Sequence, residues 1–100
     1  MALLEDIKSA LRVEESESNL EIMDLIESAI EDLKLSGVNP HKVIETDPLI
    51  KRAITLYCKA NYGYEDINLS NRFAEIYLSL KNHLVLSRDY SAYDTESGVI

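Results

Sequence analysis

Residues 47–63, DPLIKRAITLYCKANYG, carry both the start and the stop of one helix. Asp47 is an N-cap type whose carboxylate accepts backbone N–H bonds, Pro48 suits the first helical position, and Gly63 suits the left-handed residue that ends a helix. Between them Leu49, Ile50, Ala53, Ile54, Tyr57 and Ala60 recur at helical spacing on one face, with Lys51, Arg52, Thr55 and Lys59 on the other. The segment predicts a core helix with a basic back. It holds no acid between Leu49 and Tyr62, although the chain has 18 acids to 10 bases.

Working outward, 100 residues suffice for one hydrophobic core, and 46% apolar with 28% charged residues is a globular composition. The apolar runs are too short for a membrane span, and the N-terminus MALLEDIKSAL lacks the basic start of a secretory signal, so the mature chain is expected to begin near Met1. The lone Cys58 has no internal disulfide partner and reads as a small packing residue made in a reducing cytoplasm. A net charge of −8 argues against a surface built to grip phosphates, hence against sequence-specific DNA binding.

Residues 2–12 predict a short first helix, with Leu3, Leu4, Ile7 and Leu11 as its buried stripe and Asp6, Lys8 and Arg12 outside it. Val13–Asn19 reads as an acidic solvent loop, and Ser18 with Glu21 forms the Ser-x-x-Glu capping-box pattern for a helix over 19–36. That helix places Ile22, Met23, Ile26, Ala29, Ile30 and Leu33 inward and Glu21, Asp24, Glu31 and Asp32 outward, with Gly37 closing it. Residues 37–47 form the longest internal connection, where His41 and Glu45 lie four apart without a third ligand to make a metal site. Ser70 is the expected cap of a last helix ending near Leu86, with Phe73, Ile76, Tyr77, Leu80 and Leu84 as its stripe and His83 at the boundary. Residues 87–100 lose helical periodicity but retain Tyr90, Tyr93, Val99 and Ile100.

The expected fold is therefore all-α: a small four-helix, bundle-like domain over residues 1–86, a long loop between helices 2 and 3, and a flexible C-terminal tail over 87–100. Its expected core includes Ile26, Ile30, Ile50, Ile54, Tyr57, Phe73, Tyr77 and Leu80. No glycine loop for phosphate, no cysteine and histidine cluster and no nucleophile motif is present in the sequence, so neither a catalytic residue nor a metal or cofactor is expected.

The segments DPLIKRAITLYCKANYGYED and NRFAEIYLSLKNHLVLSRDY, preceded by LLEDIKSALRV and IESAIEDLKLSGV, resemble the head-tail connector, or DNA-packaging adaptor, family of tailed bacteriophages and their prophages. The resemblance implies a structural protein of the virion head-tail junction, made in the bacterial host cytoplasm. It also implies a twelve-fold ring on the portal protein after DNA packaging, which extends the DNA channel and carries the next tail or stopper component. DNA would be non-specific cargo, and no membrane is involved. The alternative is a small acidic interaction or inhibitor protein of a bacterium. For a ring, the basic residues Lys51, Arg52 and Lys59 are expected to face Glu21, Asp24 and Glu31 of an adjacent subunit. Tyr90, Tyr93, Val99 and Ile100 are the expected anchors to the portal or a neighbour.

Overall fold

The computed structural model describes residues 2–63 and 66–92. Four helices run in chain order: α1 (Ala2–Leu11), α2 (Asn19–Ser36), α3 (Pro48–Asn61) and α4 (Ile67–Leu86), with one 3-10 turn at Pro40–Lys42 in the long loop. Helix α3 is the centre of the domain, packing against α1, α2 and α4. Among the described residues the extended structure is limited to an isolated antiparallel bridge between Val38 and Ser91.

The local signals at α3 act as the sequence predicts. The Asp47 carboxylate accepts the Leu49 and Ile50 N–H groups at 2.9 and 3.2 Å, two of the donors that a helix start leaves unpaired. Its inner side buries Ile50, Ala53, Ile54 and Cys58 against Ile7, Ile22, Ile26 and Leu33. Of the expected core, Ile26, Ile50, Ile54 and Tyr77 are buried, and Ile30, Tyr57, Phe73 and Leu80 pack half-buried around them. Burying one such aliphatic side chain stabilises by about 1.5–3 kcal/mol.

Three helix caps differ from the sequence reading. Helix α4 starts at Ile67, because Asp66 accepts the Asn68 and Leu69 N–H groups at 2.9 and 3.2 Å and is the stronger capping acceptor. Ser70 instead donates its hydroxyl to the Ala60 carbonyl, tying the start of α4 to the end of α3. Ser18 makes no side-chain cap, since its backbone is already helical; its oxygen accepts from the Tyr62 hydroxyl at 2.9 Å. Helix α1 ends with Arg12 at φ 61, where Val13 N–H reaches back to the Lys8 carbonyl at 2.9 Å. This is the Schellman pattern that Gly37 (φ 116) also makes at the end of α2, through Val38 N–H to Leu33 O at 3.0 Å. In both caps the residue after the left-handed one is apolar and folds inward, so Val13 and Val38 are buried rather than in solvent.

Four side chains depart from the expected pattern of burial. Leu49, Met23 and Ile76 are exposed, while Lys8 is 7% exposed and belongs with the interior. Each lies at the margin of its helix's buried stripe, where the neighbouring helices, and not the periodicity of one helix, decide exposure.

The start of the tail lies on the domain. Tyr90 and Ser91 follow a turn after α4; Asn39 N–H donates to the Tyr90 carbonyl at 2.7 Å, and Ala92 N–H donates to the Gly37 carbonyl at 2.7 Å. Residues 87–92 thus form a short strap across the long loop, and Tyr93, Val99 and Ile100 lie outside the described residues.

Candidate assembly surface

The outward face of α3 meets α4 in a groove of about 440 Å³. Leu56, Phe73 and Ile76 make its apolar part, and Lys51, Arg52 and Lys59 its charged part. The three cations are held differently. Lys51 forms an ion pair with Asp6 of α1 at 2.6 Å, so the chain itself meets part of the charge expected to face a neighbour. Lys59 lies 5.1 Å from the centre of the Phe73 ring, a cation–π contact that fixes the ammonium over the groove floor. Arg52 is exposed. The arrangement suits a carboxylate-bearing surface with apolar flanks.

The acids expected on the other side of that contact lie on α2. Glu21, Asp24 and Glu31 are all exposed, and Glu31 makes only a loose 3.7 Å pair with Lys34. Asp32, which the helical pattern puts on the same solvent face, has a different role. Its carboxylate accepts the Tyr77 hydroxyl at 2.6 Å and the Lys81 ammonium at 2.9 Å, and so joins α2 to α4. Burial pushes the Asp32 carboxyl up, but the Tyr77 hydroxyl and the Lys81 charge outweigh it and hold its pKa below the ordinary 3.8. Burial and the Asp32 carboxylate together raise the Tyr77 phenol well above its usual range. The signal available in sequence was the Tyr77 and Lys81 pair, four apart on α4, but its partner on another helix was not identifiable from spacing.

The expected portal or neighbour contacts begin at Tyr90. Its hydroxyl donates to both oxygens of Asp47, at 3.2 and 3.0 Å, so the residue that caps α3 also anchors the strap. Cys58 is fully buried, and burial pushes its thiol up to about 12, which leaves it neutral and unsuited to nucleophilic chemistry at neutral pH. Among the described residues no cluster of three or more histidine, cysteine and carboxylate side chains is placed to hold a metal ion. Nor is any helix among them long and apolar enough to cross a membrane. His41, Glu45 and His83 are exposed.

The family model described as phage connector protein matches residues 3–91, from the first turn of α1 through all four helices to the strap. No curated protein and no solved structure matches the chain. The family match covers nearly the entire described fold, and the chain belongs to the phage connector protein family.

Proposed function

We propose that the chain is the adaptor subunit of a tailed-phage head-tail junction. Copies close into a ring on the portal once DNA is packaged, extend the channel, and present a platform to the next tail or stopper component. The observation that carries this reading is the family match across all four helices, which supplies its general part: a structural head-tail connector. The chemistry of the domain agrees with it. A net charge of −8 per subunit repels rather than grips DNA phosphates that pass through the proposed ring.

In the proposed ring, the basic side of α3 in one subunit meets Glu21, Asp24 and Glu31 of the next, a head-to-tail contact that closes when the rotation permits. Because Lys51 is engaged by Asp6, Arg52 and Lys59 carry most of that attraction. Twelve copies match the portal symmetry that the family resemblance implies. Tyr93, Val99 and Ile100, beyond the strap, are the proposed contacts with the portal or a neighbouring subunit. The protein is made in the host cytoplasm and acts in the virion. No observation favours the alternative of a small acidic inhibitor protein.

The test is binding to DNA-filled heads that carry a portal and lack a tail. Full-length protein is expected to sediment with these heads and saturate at one ring per head, whereas heads lacking the portal take up none. Equal uptake by both kinds of head contradicts the assignment.

A further inference from the structure

The exposed face of α2 and the groove face of α3 share one residue spacing. On α2 the outward stripe runs Leu20, Asp24, Glu27, Glu31, Leu35, at steps of four, three, four and four residues. On α3 the groove stripe runs Pro48, Arg52, Thr55, Lys59, at steps of four, three and four. Residues so spaced form one nearly straight row along a helix. Asp24 and Glu31 are therefore about 10 Å apart along their axis, and Arg52 and Lys59 are about 10 Å apart along theirs.

The ends of the acidic row are apolar and uncovered. Leu20 is 79% exposed and Leu35 is 86% exposed, among the most exposed large apolar residues of the domain. The groove offers what these ends lack: Pro48 at one end of the cationic row, and Phe73 beside Lys59 at the other.

We infer that the α2 stripe of one copy docks antiparallel into the α3–α4 groove of the next, pairing Glu31 with Arg52 and Asp24 with Lys59 and seating Leu35 against Pro48 and Leu20 against Phe73. This rests on the ring reading above and specifies its contact. The antiparallel sense sets the helix dipoles in their attractive order. The occupant is a second copy because the groove matches this chain's own α2 in charge, spacing and apolar ends. A second concavity, of about 460 Å³ and lined by Met23, Ile30 and Ile44, has Glu27 and Glu45 at its edge and would repel the same acidic row. One such contact is small, so each pairing is weak alone, and closure of a ring supplies the missing affinity through many simultaneous contacts.

The test measures ring formation of the full chain on purified portal by sedimentation velocity, with circular dichroism checking that each variant keeps its helix content. Arg52→Glu and Glu31→Arg are each expected to reduce assembly more than tenfold, and their combination to restore it to within a few-fold of the parent. Arg52→Glu combined with Asp24→Arg should not be restored, since that pairing belongs to the parallel arrangement. Leu35→Asp should also reduce assembly more than tenfold. If the parent forms rings that none of these variants weakens, or if the Arg52→Glu and Glu31→Arg combination is no better than either alone, the docking is wrong while the ring stands. If the parent forms no ring on the portal, the ring reading fails and the docking fails with it.

Discussion

Asp32 shows how one side chain changes meaning once its surroundings are known. On the helical wheel it belongs with the solvent acids of α2; in the fold it bonds Tyr77 and Lys81 and holds two helices together. Its folded pKa lies below its unfolded one, so the stability it contributes is complete above about pH 4 and is lost as pH falls through the depressed value. Urea melts of parent and Asp32→Asn should accordingly differ at pH 7 and converge as pH is taken down from 4, with the parent the more stable at neutral pH. Cys58 makes the opposite case at alkaline pH. Its thiol ionises near 9.0 in the unfolded chain and near 12 when buried, so the folded state binds the proton more tightly and stability falls as pH rises above 9. Cys58→Ala should remove up to about 1.4 kcal/mol of that loss per pH unit between 9 and 11. Gly63 tests backbone conformation alone: at φ 86, with nothing within 4 Å of where a Cβ would sit, Gly63→Ala meets no clash. It is expected to cost about 1 kcal/mol through the left-handed conformation itself.

At the scale of the element, α3 was readable because its determinants are local. Asp47, Pro48 and Gly63 lie within the segment they delimit, and the inward positions of α3 repeat at the helical period. Asp47→Ala should cost about 1–2 kcal/mol, at the upper end of cap losses, because the same carboxylate also holds the Tyr90 hydroxyl. Ile54, 1% exposed, is expected to cost about 2–5 kcal/mol on replacement by Ala, read by chemical denaturation; a change near zero would mean the site is not packed as described. Helix α2 starts at Asn19 as read, although Ser18 bonds Tyr62 instead of capping it. The start of α4 was harder to read, because Asp66 caps it at Ile67 while Ser70, the expected cap, bonds the Ala60 carbonyl of α3. The exposure of Met23, Leu49 and Ile76 and the burial of Lys8 were also beyond the sequence, because a helix alone does not specify how many neighbours it will face. The basic groove was legible only in part. The cations of α3 stood out in the sequence, whereas the apolar floor from α4 and the engagement of Lys51 by Asp6 are products of tertiary packing.

At the scale of the whole molecule, the domain separates its charges: cations gather on the outer side of α3 while the acids of α2 face away from the core. A monomer has little use for such polarity, since exposed charges contribute little to its own stability. A head-to-tail ring uses both sides of every copy. The strap refines what a truncation means. Removing residues after Ser87 would strip Tyr90 from Asp47 and the strap bonds from the long loop, so loss of monomer stability is expected along with loss of binding. Truncation after Ala92 keeps the strap; it should leave the melting midpoint of the monomer unchanged and reduce binding to portal-bearing heads. Equal binding by the truncated and full-length chains would remove Tyr93, Val99 and Ile100 from the proposed contact.

Whether this domain is a ring-forming connector seated on the portal is decided by electron cryomicroscopy of the full-length chain bound to DNA-filled, tail-less heads. The expected result is a closed ring of additional density directly beneath the portal, coaxial with the DNA channel, with one four-helix domain per subunit and the α2 face of each against the α3–α4 groove of the next. Heads with no added density at the portal vertex, or protein scattered over the capsid shell, would contradict it.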